Sequence, residues 1–184
     1  MKKTYLITGA SSGFGAELAK EALRRGNRVI LCARRKDAMN AIVADYPDQA
    51  LAVDLDITDN AQRQVAIAAM RERFGRIDVL ANIAGRGSLG AAEEFTTAQL
   101  RDQLEINFFA AVELTRAVLP AMRAQGGGHI LNLTSIGGLV ASAGFGPYCA
   151  SKFALEAVFV NEVVRSIMQP DGQVRLRWVT VDPD

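Results

Sequence analysis

Apolar residues follow two alternating patterns along the chain. Short runs at residues 5–8, 29–32, 50–53, 77–80, 130–133 and 174–181 predict six β-strands. Between them, apolar residues recur at helical spacing and predict helices over about 14–25, 37–44, 60–74, 97–124 and 148–168. Punctuation agrees with this reading. Gly26 and Asn27 stop the first helix, Asp59 caps the third, and Gly75 ends it. Thr96 and Gln99 have capping-box spacing, and Pro120 is expected to disturb the long helix that follows. The strands are continuous apolar runs rather than alternating ones, so both faces are buried, as in a parallel sheet covered by helices on each side. Regular strand–helix alternation over 184 residues, without repeat or linker, predicts one domain, 1–184. Its fold class is α/β, a doubly wound parallel sheet in three layers.

Composition narrows the function classes. Hydrophobic residues make up 49% and charged residues 22%, the balance of a soluble globular protein. Lys plus Arg is 21 and Asp plus Glu is 20, so the net charge of +1 gives no global field for nucleic acid or an acidic membrane. No apolar run approaches the ~20 residues of a membrane helix, and the opening MKKTYLITGASSG does not read as a signal peptide. Two cysteines, Cys32 and Cys149, and one histidine, His129, offer no metal framework. They read as buried free thiols in a reducing compartment and a structural histidine, and a cytoplasmic location is expected.

Two segments carry candidate chemistry. Residues 8–15, T-G-A-S-S-G-F-G, join the first strand to the first helix. Glycines there permit a tight turn and close backbone approach, and the helix start offers free N–H groups and a positive dipole end to a pyrophosphate. A tight turn without a ligand has the same glycines. The second strand ends in Arg34, Arg35 and Lys36, with no acid to bind a ribose 2′-hydroxyl. The two arginines suit a 2′-phosphate and favour NADP over NAD, against the alternative of a solvated basic helix start. Tyr148 and Lys152 lie four residues apart on one helix face. An ammonium beside a phenol favours the phenolate, which lets a tyrosine exchange a proton with a carbonyl or hydroxyl oxygen. Ser135 follows the fifth strand at the carboxyl edge of the sheet, where its hydroxyl either holds a substrate oxygen or caps the Gly137-Gly138 turn.

These motifs together resemble the short-chain dehydrogenase/reductase family, common single-domain type. The residue 8–15 loop matches the family's T-G-x-x-x-G-x-G, and Asp56 falls where the family has an acid near the adenine. Residues 82–85, N-I-A-G, resemble its N-N-A-G segment, and Asn107 its helical asparagine. Ser135, Tyr148 and Lys152 match its serine and Y-x-x-x-K in order and spacing. The resemblance implies a catalytic set of Asn107, Ser135, Tyr148 and Lys152. Tyr148 would be the general acid/base, Ser135 would position the substrate oxygen, and Asn107 would order a proton-relay water. Lys152 would lower the Tyr148 pKa and bind the nicotinamide ribose. Implied cofactor contacts are Gly9, Ser11, Ser12, Gly13, Phe14 and Gly15 in the loop, then Arg34, Arg35, Asp56, Ile57, Asn82, Ala84 and Gly85, with Tyr148 and Lys152 again. The expected activity is NADP(H)-dependent interconversion of a small-molecule carbonyl and a secondary alcohol. The expected assembly is a homodimer or homotetramer, with no metal, nucleic-acid or membrane partner.

The chain departs from the family pattern in two places. Ile83 replaces the second Asn of N-N-A-G. After the sixth strand the family continues Pro-Gly, a substrate lid and a seventh strand, whereas here residues 181–184 read V-D-P-D. The reading is of a domain apparently truncated after its sixth strand. A non-catalytic dinucleotide-binding or regulatory protein of the same fold is the alternative. A methyltransferase on a related fold is disfavoured by Arg34 and by the Tyr148–Lys152 pair.

Overall fold

A computed structural model describes residues 2–166 of the chain. Five strands form one sheet: β1 (Thr4–Thr8), β2 (Arg28–Ala33), β3 (Ala50–Asp54), β4 (Val79–Asn82) and β5 (His129–Asn132). Their order is β3-β2-β1-β4-β5, and every neighbouring pair is parallel. The order reverses between β1 and β4, so the sheet opens a crevice at its carboxyl edge there, where folds of this kind bind ligands. The predicted strand at 174–181 lies outside the described residues.

Helices cover both faces. On one face lie α1 (Gly13–Arg24) and α2 (Asp37–Asp45), and on the other α3 (Asn60–Phe74) and α5 (Ala110–Ala124). Consecutive strand residues serve opposite layers. Ile7 and Leu31 pack with Ala19, Leu23 and Met39, while Leu6 and Ile30 pack with Ile67, Met70, Leu114 and Val118. Full burial of each such side chain contributes about 1.5–3 kcal/mol, which is why the strands read as unbroken apolar runs. Cys32 and Cys149 are both buried and free, and burial pushes the Cys32 thiol up to about 12. Among the described residues no helix is long and apolar enough to cross a membrane, and no group of side chains could hold a metal ion.

The caps behave as expected. The Asp59 side chain accepts from the Gln62 N–H, and Gly75 takes the left-handed conformation at φ 77° that closes α3. Thr96 and Gln99 form the capping box of α4 (Thr97–Leu104). The long helix after it differs from expectation. Its break is a π-helical turn at Glu105–Phe109, and α5 then runs unbroken through Pro120. The π turn holds Asn107, whose side chain is fixed by partners outside the helix, and such widened turns favour functional positions. β4 also begins two residues later than expected. Ile77 is fully buried, but it precedes the strand pairing, and its backbone is bonded instead to the Gln125 side chain. The last described helix, α6 (Gly146–Ser166), carries Tyr148 and Lys152 in its first two turns.

Candidate active site

The glycine loop sits at the switch point. Gly9 has φ 67°, and a Cβ there would lie 3.0 Å from the backbone of Ala84. A Cβ on Gly15 would lie 2.4 Å from the Gly9 carbonyl oxygen, so the helix start and the loop touch backbone to backbone. The Thr8 hydroxyl ties the loop to the exit of β4. It accepts from the N–H groups of Ile83 and Ala84 at 3.0 and 3.1 Å and donates to the Ala81 carbonyl at 3.3 Å. Ser12 stands at the N-cap of α1 in an extended conformation and makes no side-chain cap. The first-turn amides of α1 are thus left without a side-chain acceptor, beside the exposed Ser12, Gly13 and Phe14 and the half-buried Ser11.

Arg34 and Arg35 follow β2 and are exposed. Asp56 follows β3. Its Oδ1 accepts from the Thr58 hydroxyl at 2.7 Å and from the Thr58 N–H at 2.9 Å. These bonds hold its carboxyl below the usual range, with a smaller contribution from the Arg34 charge. The Leu55 N–H donates to the Ala33 carbonyl at 3.0 Å, so Arg34 and Asp56, the next residues, share one end of the crevice, with Ile57 half-buried beside them.

The other end is a cleft of about 340 Å³ whose lining includes Ile83, Gly85, Arg86, Phe145, Tyr148 and Lys152. Lys152 is 5% exposed, and its Nζ donates to the Leu133 carbonyl at 2.7 Å. That bond leaves two ammonium donors without a protein acceptor among the described residues. Burial pushes the Lys152 ammonium down to about 8, partly offset by Glu156. Its Nζ lies 6.0 Å from the centroid of the Tyr148 ring. Ser135 caps the turn Ile136–Gly138 by accepting from the Gly137 N–H at 3.1 Å, and Gly137 backs onto the Tyr148 ring. Of the two sequence readings of Ser135, the structure shows the turn cap. Its oxygen caps a turn, and its O–H remains able to donate.

Asn107 is buried at the back of the cleft. Its Oδ1 accepts from the Arg86 N–H at 2.9 Å. Its Nδ2 donates to the Arg86 carbonyl at 2.9 Å and to the Ser151 hydroxyl at 3.0 Å, which in turn donates to the Tyr148 carbonyl at 2.7 Å. Gly85 fits between Asn107 and Lys152, with its Cβ position 3.0 Å from Oδ1 and 3.8 Å from Nζ. Asn107, Tyr148 and Lys152 are thus joined through Gly85, Arg86 and Ser151. Asn82 is placed differently. Its Nδ2 donates to Asn132 and Thr115, at 2.8 and 3.2 Å, so its amide ties β4 to β5 and α5. Sequence reasoning missed as site residues Thr8, Arg86, Leu133, Ser151 and the buried Gln103, whose Nε2 donates to the Arg86 carbonyl at 2.8 Å. Four of them act through a backbone or a second residue. Only the Thr8 hydroxyl, already inside the loop motif, carried a signal.

The uncapped helix start, the open space around Gly13, the exposed arginines and the two spare donors of Lys152 fit a dinucleotide laid along this edge. Solved structures share this fold. A short-chain dehydrogenase from Streptomyces avermitilis is 45% identical with a TM-score of 0.86, over 90% of this chain and 61% of its own. A short-chain dehydrogenase/reductase from Burkholderia phymatum, in complex with NAD, is 28% identical with a TM-score of 0.84, over 89% of this chain and 59% of its own. An alcohol dehydrogenase from Thermococcus sibiricus, complexed with 5-hydroxy-NADP, is 25% identical with a TM-score of 0.85, over 90% of this chain and 72% of its own. Curated relatives are named oxidoreductases and dehydrogenase/reductases, and the chain spans from 47% to 68% of the length of several of them. Residues 3–177 match the family described as short chain dehydrogenase, and the chain belongs to that family of oxidoreductases.

Proposed function

We propose that the chain carries the catalytic centre of an NADP(H)-dependent oxidoreductase that interconverts a carbonyl and a secondary alcohol. The observation that carries this reading is the joining of Tyr148, Lys152 and Asn107 at one open cleft on the carboxyl edge of the sheet. The bound dinucleotide supplies the hydride. Tyr148 gives a proton to the carbonyl oxygen during reduction and takes one from the alcohol during oxidation. Ser135 donates its O–H to the same oxygen and fixes its position. Lys152 supports charge on the Tyr148 oxygen and offers its spare donors to the nicotinamide ribose. Asn107 orders the water that passes the proton onward and keeps the residue 85–87 backbone in place. The loop residues Gly9–Gly15 cradle the pyrophosphate, and Asp56, Ile57, Ala84 and Gly85 border the rest of the dinucleotide. Arg34 and Arg35, with no acid at the end of β2, favour the 2′-phosphate of NADP. Exposed Phe109 and Phe153 support assembly as a homodimer or homotetramer, and the two free thiols suit a cytoplasmic location.

The test is a titration of wild type and Tyr148→Phe with NADPH and NADH, followed by cofactor fluorescence, beside rates on carbonyl substrates. The expected result is tighter binding of NADPH by both proteins and a rate loss of about a hundredfold or more in the variant. Retained turnover in Tyr148→Phe removes the assignment. Binding without turnover in wild type marks a dinucleotide-binding protein rather than an enzyme.

A further inference from the structure

Among the described residues, nine large apolar side chains are exposed, and Leu89, Ile136, Leu139, Val140 and Phe145 among them each lie within five positions along the chain of a cleft-lining residue. Phe145 lines the cleft with its ring 6.3 Å from that of Tyr148. Leu89 rests against Gly144, where a Cβ would meet its Cδ1 at 2.9 Å. The backbone fixes this arrangement. The Gly90 N–H donates to the Gly144 carbonyl at 2.9 Å, which joins the two segments. The N–H groups of Leu139 and Val140 both donate to the Ile136 carbonyl at 2.9 Å. The apolar wall is therefore built into the fold rather than carried on a free loop.

The same segments carry no charge. Residues 87–92 and 133–151 contain no Asp, Glu, Lys, Arg or His. Of the two cations that line the cleft, Arg86 is in an ion pair with Asp102, and Lys152, bonded to the Leu133 carbonyl, offers its remaining donors to the cofactor ribose in the proposed function. A carboxylate or phosphate on the substrate would be held against this apolar wall with both cations already committed, which costs more than placing a methyl group there. An apolar substituent would gain by covering Leu89 and Phe145.

We infer that the substrate is a neutral carbonyl or alcohol with an apolar group beside the reacting carbon, seated against Leu89 and Phe145. This inference rests on the proposed function. Its test compares 4-methylacetophenone with 4-acetylbenzoate, which present the same ketone with a methyl group or a carboxylate at the far end. Rates with NADPH are expected to show kcat/KM higher by about tenfold or more for the methyl compound. Leu89→Lys should shrink that ratio severalfold, and Leu89→Met should keep it. Equal or reversed preference in wild type, or an unchanged ratio in Leu89→Lys, overturns the inference while leaving the oxidoreductase reading intact. If neither ketone is reduced, that reading fails, and direct binding of the two ketones measured by calorimetry still decides the point. Preferential binding of the methyl compound, lost in Leu89→Lys, supports the apolar site. Binding of neither compound overturns it. Sedimentation of wild type against Leu89→Lys then shows whether a second copy of the chain covers the wall instead.

Discussion

At the scale of single residues, the costly feature is the buried ammonium of Lys152. A lysine pushed down to about 8 is charged below that pH and neutral above it. The unfolded chain keeps the ordinary lysine value, 10.5, so between about 8 and 10.5 it binds a proton that the folded chain does not. Stability therefore rises with pH across that window, because the penalty for burying the charge disappears. Relative to Lys152→Met, which has no charge to lose, wild type is expected to gain up to about 3 kcal/mol between pH 8 and 10.5. Urea unfolding of both proteins at several pH values checks this, and a constant gap between them contradicts it. Function runs the other way. The ammonium is what a ribose hydroxyl and a charged Tyr148 oxygen need, so kcat/KM is expected to fall as pH rises through about 8. The fold thus carries a local cost in the pH range where the site is competent.

At the scale of elements, the loop between β1 and α1 separates two uses of glycine. Gly15 is packed against Gly9 backbone, while Gly13 has nothing within 4 Å and only a positive φ of 54°. Gly15→Ala must push the loop away from the helix, and a loss of about tenfold or more in cofactor affinity is expected. Gly13→Ala meets no protein atom and costs only backbone strain of about 1 kcal/mol, so its unfolding free energy should fall less than that of Gly15→Ala. Equal losses of unfolding free energy in the two variants, by urea unfolding, would contradict this division. The loop, both capped helix starts and the apolar strands were legible in the sequence because each is set by residues close together along the chain. The π turn was not. It is held by Asn107 bonding to Arg86, 21 positions away, and to Ser151, 44 positions away, and no local pattern encodes those distances. Pro120 drew the expectation of a break, yet the helix continues through it. The inward turn of Asn82 was also invisible, since its partners Thr115 and Asn132 lie on α5 and β5. Residues that carry a motif could be read; the shell that aims them had to be seen folded.

At the scale of the whole molecule, two apolar layers hold the sheet, and the site hangs from the carboxyl ends of its strands. The two halves of the crevice are separate in sequence, with the glycine loop after β1 and the Lys152 cleft beside the exit of β4. Thr8 joins them. Its hydroxyl is buried, and it serves both N–H groups that turn the chain out of β4 while its own backbone begins the glycine loop. Thr8→Val keeps the shape and removes the acceptor. The amides of Ile83 and Ala84 are then left without their partner, at a cost of about 1–3 kcal/mol in unfolding free energy. If the hydroxyl only stabilises the fold, cofactor affinity in the variant stays unchanged at temperatures where it is folded. If it also sets the spacing of the two halves, a dinucleotide that spans both must bind more weakly. The second outcome is expected, because the Ala84 backbone also sits 3.0 Å from the Gly9 Cβ position, and any drift of the β4 exit moves it onto or away from the loop. Ligand-induced stabilisation reads both quantities at once. Cofactor at a hundred times its Kd stabilises wild type by about 2.7 kcal/mol. At that same concentration the variant should show a smaller gain on a lower baseline, and an equal gain would mean that the halves are held in register by the sheet alone.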